Sequence, residues 1–260
     1  MIIILYSIIV FLATIAGALA GLGGGIIIKP LFDIIGVHDT STISFYSSVA
    51  VFAMCIVSII KQLKNGYAFR FKMLFLISIG SLIGGFIGEK IFNIAILSFS
   101  NSVVKVIQAV LLAITLIYIL IYTLNKNNIK QYRLNNSVLI LASGGFLGSI
   151  SIFLGIGGGP LNVTLLMILF SFQMRDAIIY SVATIFFSQL AKLWSVFISN
   201  KLFEYDLFIV PFICIAAILG GFIGTLINQK LDNAKIEKVY VFLIGILIII
   251  SGYNMINAII

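Results

Sequence analysis

The sequence predicts an all-α, polytopic helical membrane protein made of two inverted repeats, each a Gly-broken helical hairpin followed by three transmembrane helices. Three observations lead there. Hydrophobic residues make up 62% of the 260 residues and charged residues only 9%, against about 25% charged in a soluble domain. Long apolar runs recur along the chain, each sufficient to cross about 30 Å of hydrocarbon. The chain also repeats itself: GLGGG at 21–25 returns as GIGGG at 155–159, in the second half.

The first element is the apolar segment 1–20. It ends in GALAG, which resembles a signal-peptide cleavage site, but no Lys or Arg precedes it. The basic n-region of a signal peptide is therefore missing, and the segment is read as a mature span. Glycines 21–25 break the helix, and 26–36 resumes it. Spans follow at 43–61, 72–92 and 103–124. The second half repeats the order: 137–154, a break at 155–159, 160–172, then 177–199, 206–228 and 237–257. The polar stretch NKNNIKQYRLNN joins the halves, 1–127 and 128–260, into one membrane domain. Other matches hold the same order. Tyr46-Ser47 meets Tyr180-Ser181 at the same offset as the glycine breaks, and IGGFIG at 83–88 meets LGGFIG at 219–224 at nearly that offset. Gly80, Gly84 and Gly88, like Ala216, Gly220 and Gly224, have the small-residue spacing that lets helix backbones approach closely.

Charge sets the expected orientation. Lys61, Lys64, Arg70 and Lys72 form one acid-free connection, and Lys126, Lys130 and Arg133 form another. Both belong on the cytoplasmic side. If each broken segment turns back as a hairpin, Arg175, Lys230, Lys235 and Lys238 join them there, and only Lys90, Lys105 and Lys201 fall outside. Each half then makes an odd number of crossings, so the halves are inverted and both termini face outward. The net charge of +8 resides in these short loops, so nucleic acid is excluded as a partner. Cys55 and Cys214 lie within spans and read as small buried residues, and His38 is the only histidine. No metal motif, catalytic triad, Walker loop or dinucleotide fingerprint is present. No cofactor, metal or enzymatic activity is expected.

Irregular backbone at membrane depth survives only where protein or a water-filled cavity covers it. Gly-broken segments at matching positions of two halves point to a transporter's binding site. Helices starting after Gly25 and Gly159 direct free N–H groups and positive dipole ends at such a site, which suits an anion. Pro160 fits the first turn of the second of these helices. The candidate binding residues are Gly23, Gly24, Gly25, Gly157, Gly158 and Gly159 through their backbone, with Ser47, Ser48 and Ser181 as hydroxyl donors. Asn162 and Gln189 add amides, and Thr164 follows the second break. Lys29 is an intramembrane cation and a functional candidate by default. It either neutralises the anion, snorkels to the interface, or pairs with Asp33 four residues on. Lys192 is expected near the outer interface, and Glu89 on a solvated flank.

The stretches GLGGGIIIKPLFD with SFYSSVAVF, and GIGGGPLNVTLL with IFFSQ, resemble the two repeats of the sulfite exporter TauE/SafE family, also called the toluene sulfonate uptake permease family. The resemblance covers essentially the whole chain. It implies a prokaryotic cytoplasmic-membrane permease that moves a small anion such as sulfite or an organosulfonate, as an exporter. One departure is the doublet Tyr46-Ser47, with Tyr180-Ser181, where the family often has Thr-Ser. The expected mechanism is alternating access around a midplane site. The expected partners are the anion, a coupling proton, the lipid bilayer and a second copy of the chain. An anion channel-like pore and a non-transporting membrane scaffold or accessory subunit are the alternative readings.

Overall fold

The computed structural model describes residues 2–126, 132–154 and 158–259, and these are all-helical apart from their connections. The order is α1 (Ile2–Ala20), α2 (Gly25–Ile35), α3 (Thr40–Lys64), α4 (Phe71–Ser98), α5 (Asn101–Asn125), α6 (Ser137–Phe153), α7 (Gly159–Phe170), α8 (Met174–Ile198), α9 (Val210–Lys230) and α10 (Asn233–Ile259), with a short 3₁₀ turn at Lys201–Glu204. The expected boundary at 127/128 lies outside the described residues. Among the described residues, six helices are long and apolar enough to cross a membrane: α1, α3, α4, α5, α8 and α9.

Local chemistry sets the ends. The Asp39 carboxylate accepts the Thr42 N–H and starts α3, Ser100 accepts the Val103 N–H at α5, and Asn136 accepts the Val138 N–H at α6. Such caps satisfy amides that have no helical partner. Gly36, in the left-handed region at φ +70, closes α2 with its N–H on the Phe32 carbonyl.

The helix pairs repeat across the chain. A Cβ on Gly84 of α4 would lie 2.0 Å from the Gly145 carbonyl oxygen of α6, and one on Gly88 would lie 2.4 Å from that of Ser149. Likewise a Cβ on Gly220 of α9 would meet the Phe11 oxygen of α1 at 2.5 Å, and one on Gly224 the Ile15 oxygen at 2.3 Å. The glycines thus serve backbone-to-backbone packing, which drives helix association where lipid supplies no hydrophobic force. Gly84→Ala and Gly220→Ala are each expected to cost about 1–3 kcal/mol by forcing these pairs apart. Thermal unfolding in detergent would show it as a lowered Tm for both.

Helices α3 and α8 meet head to tail. Ser44 lies by Lys192, the Phe52 and Phe186 rings stack at 5.1 Å, and Ser58 and Gln62 share a small cavity with Ile178 and Val182. The outer surface is strongly apolar, with Phe71 82%, Phe203 81% and Leu97 86% exposed, while Lys29, Asn162, Ser181, Glu89 and Lys192 are all buried. Polar groups inside and large apolar ones outside is the distribution a lipid solvent demands. Two expectations are corrected here. Helix α4 runs on to Ser98, so Glu89 sits in its interior, 5% exposed, and not on a solvated flank. Lys192 is 2% exposed and turns inward onto α3 instead of reaching outward.

Candidate functional site

The two glycine breaks meet. After α1 the chain turns through Gly21, Gly23 and Gly24, all at positive φ, where a side chain would add strain. The Leu22 N–H bonds back to the Gly17 carbonyl. Gly17 is itself pressed against this return, since its Cβ would lie 2.2 Å from the Gly24 nitrogen. In the second break Gly158 has φ +62 and abuts Ser151. Gly157 lies outside the described residues. A Cβ on Gly159 would fall 2.1 Å from the carbonyl carbon and oxygen of Leu22. The hairpin tips are therefore in backbone contact. Among the described residues no side chain caps the start of α2 or α7, while the Gly25 and Ile27 N–H groups of α2 donate to the Gly23 and Gly24 carbonyls. Gly25 and Gly159 are the first residues of these helices, and Pro160 follows in the first turn.

Ser181 of α8 ties the junction, donating to the Gly21 carbonyl at 2.8 Å and lying 3.4 Å from that of Gly159. Its proton is committed to protein here. Ser48 likewise donates to the Ser44 carbonyl of its own helix. Ser47 is buried, and the position equivalent to Gly21 on its side, Gly155, lies outside the described residues. Farther along the Ser181 face of α8, Ile185 packs on Gly23. One turn on, Gln189 is 2% exposed and its Oε1 has no partner among the described residues. Thr164 lies 3.1 Å from the Tyr240 hydroxyl, which donates to the Pro160 carbonyl.

Lys29 projects from α2 into this junction and is 3% exposed. Its Nζ donates to the Leu154 carbonyl, at the entry to the second break, and to Gln108 Oε1 of α5. Both partners are neutral. Its expected helical partner Asp33 instead pairs with Lys105 at 3.2 Å, and snorkelling is ruled out by the burial. Gln108 was missed in the sequence; a lone amide within the apolar run 103–124 was the available signal. Asn162, three residues into α7 from Gly159, is 0% exposed, and neither Oδ1 nor Nδ2 has a partner among the described residues. A buried unpaired amide costs about 1–3 kcal/mol. Asn162→Leu is therefore expected to leave Tm unchanged or raise it while lowering anion uptake. A lowered Tm with full uptake would assign Asn162 to the fold alone.

The arrangement offers a buried cation, two uncapped helix N-termini and unpaired amides around a closed backbone junction. Cations and helix N-termini are groups of the kind that suit negative charge. Among the described residues no group of His, Cys, Asp and Glu is placed to hold a metal ion.

Comparison with known proteins agrees with this chemistry. The chain is 30% identical to the protein named "Probable membrane transporter protein YunE" of Bacillus subtilis (strain 168), over 95% of this chain and 98% of the relative. No solved structure matches. Residues 6–253 match the family described as Sulfite exporter TauE/SafE. With its apolar helices and buried polar junction, the chain is a multi-pass membrane protein and belongs to the sulfite exporter TauE/SafE family of membrane transporters.

Proposed function

We propose that this protein is a secondary transporter that exports a small anion, such as sulfite or an organosulfonate, by alternating access around the junction of the two hairpin tips. The observation that carries the reading is Lys29: a buried ammonium held, among the described residues, by a carbonyl and an amide oxygen. Taking a charge out of water is expensive unless a counter-charge joins it, and an anion between the uncapped starts of α2 and α7 supplies one. Gly23, Gly24, Gly25, Gly158 and Gly159 contribute backbone, Asn162 contributes an amide whose Nδ2 has no partner among the described residues, and Gln189 contributes its amide N–H side. Ser47, Ser48 and Ser181 contribute hydroxyls once the tips move apart. The tips now touch, and a cavity beside Gly158, Pro160 and Ile26 has about 10 Å³. That holds about one water, so anion entry requires the tips to separate.

Two inverted halves, 1–127 and 128–260 with both termini outside, suit that motion. The head-to-tail pairing of α3 with α8 and the matching glycine contacts of α4–α6 and α9–α1 support this arrangement. A coupling proton fits a pH gradient as the driving force.

The test is uptake of radiolabelled sulfite by sealed proteoliposomes, with and without a pH gradient, against competing sulfate, thiosulfate, sulfoacetate and chloride. Saturable uptake competed by sulfur anions is expected. Folded protein with no uptake above empty liposomes would remove sulfite as the substrate.

A further inference from the structure

The Tyr-Ser doublets pose a question beyond the anion junction, because Ser181 reaches the tips while both tyrosines bond elsewhere. Tyr46 and Tyr180 occupy matching positions early in their helices, α3 and α8, and are 0% and 2% exposed. Each hydroxyl leaves its own half of the chain. Tyr46 donates to the Asp206 carbonyl at 3.0 Å, in the connection leading into α9. Tyr180 accepts the Arg70 N–H at 2.7 Å, in the connection leading into α4. Arg70 and Asp206 are separated by the same offset that relates IGGFIG to LGGFIG. The two hydrogen bonds therefore join matching positions of the repeats, with the tyrosine as donor in one and as acceptor in the other.

The aromatic surroundings repeat as well. Phe69 meets Tyr180 edge-on with ring centres 5.4 Å apart. Tyr205, the counterpart of Phe69 at that same offset, stacks at 4.3 Å on Phe45, the neighbour of Tyr46. Each connection has a second tie: Tyr67 donates to the Asp176 carboxylate at 2.8 Å, and Ser41 lies 3.1 Å from the Tyr205 hydroxyl. Burial pushes the Tyr67 and Tyr205 hydroxyls above their ordinary range, so both act as neutral groups. Because α3 and α8 run head to tail, contacts near their N-terminal ends lie at opposite ends of the molecule.

We propose that Tyr46 and Tyr180 are paired gate latches. Each straps the connection that closes one face of the protein onto the first long helix of the other half, and the transport cycle releases them in turn. The proposal rests on the alternating-access reading. Both latches are fastened here, which agrees with the closed tip junction. Each is a positioning residue, since neither touches the anion site. A single neutral hydrogen bond shifts a two-state equilibrium by about three- to tenfold. That is weak enough to release in every cycle and strong enough to bias which face is shut.

The test reads accessibility and needs no substrate. In a background of Cys55→Ala and Cys214→Ala, one reporter cysteine replaces Ile43 or Ala177. Both are 0% exposed, each lies one turn before its tyrosine, and they occupy matching positions in the two repeats. Reconstituted protein is labelled with a membrane-impermeant maleimide from either side. Tyr46→Phe should raise the labelling rate at 43 by about three- to tenfold from one side and leave 177 unchanged. Tyr180→Phe should do the reverse from the other side. Unchanged labelling in both variants, or a rise at both reporters together, would overturn the latches and make the hydroxyls ordinary packing contacts. One-sided shifts in a protein that moves no sulfite would keep the latches and remove the substrate reading.

Discussion

Lys29→Met should reduce anion uptake by about ten- to a hundredfold while leaving Tm unchanged or raised. The magnitude is that of one charge-assisted hydrogen bond, about 1.5–3 kcal/mol, at a factor of ten per 1.4 kcal/mol. Methionine keeps an unbranched stem of similar length, so the path past Leu154 and Gln108 stays filled. The stability sign follows from the burial. Lys29 is 3% exposed, and among the described residues no carboxylate forms an ion pair with it, because Asp33 is held by Lys105. A buried charge without a counter-charge is a burden on the folded state, and replacing it with an apolar group is neutral or stabilising. A cation kept purely for structure would show the opposite pattern. Uptake and thermal melting on the same preparation decide between them. A Tm that falls while uptake persists would assign Lys29 to holding α2 against the second break.

Gly159→Ala should prevent accumulation of folded protein or lower its stability beyond about 3 kcal/mol, the upper end for overpacking. The added methyl would lie 2.1 Å from the Leu22 backbone. A backbone cannot rotate away as a side-chain tip can, so the hairpin tips would have to part. Gly245→Ala in α10 is the control. Its Cβ meets nothing within 4 Å, and alanine favours a helix by about 1 kcal/mol over glycine. Monodisperse yield in detergent and Tm are the measurements. Equal behaviour of the two variants would mean that the tips do not touch as described.

The membrane class, the helix order and the paired breaks were legible because each depends on local properties. Hydrophobic length sets the spans, and glycine density sets the breaks. Helix ends fell within a few residues of those expected, except at α4, where the apolar stretch beyond Lys90 continues the helix to Ser98. That extension moved Glu89 from a flank to the interior. The small-residue spacing marked α4 and α9 for close packing without naming their partners. Gly84 and Gly220 share a motif, and the fold shows that one faces Gly145 and the other Phe11.

The candidate site was legible only in outline. Glycine, serine, asparagine and lysine in apolar surroundings stood out by their cost in lipid. Which of them keep a free polar group did not. Ser181 and Ser48 turned out to be committed to carbonyls, Asn162 to lack a side-chain partner among the described residues, and Lys29 to bind Gln108 of α5 instead of Asp33. Sequence alone thus determined that this chain is an all-helical membrane protein with two matched glycine breaks, since hydrophobic run length and backbone freedom are properties of neighbouring residues. Only the tertiary structure decided that the breaks touch at Gly159 and Leu22 and that Lys29 lies buried beside them, with no carboxylate partner among the described residues. Hydrogen-bond partners and charge neutralisation depend on which segments, often far apart along the chain, are packed together.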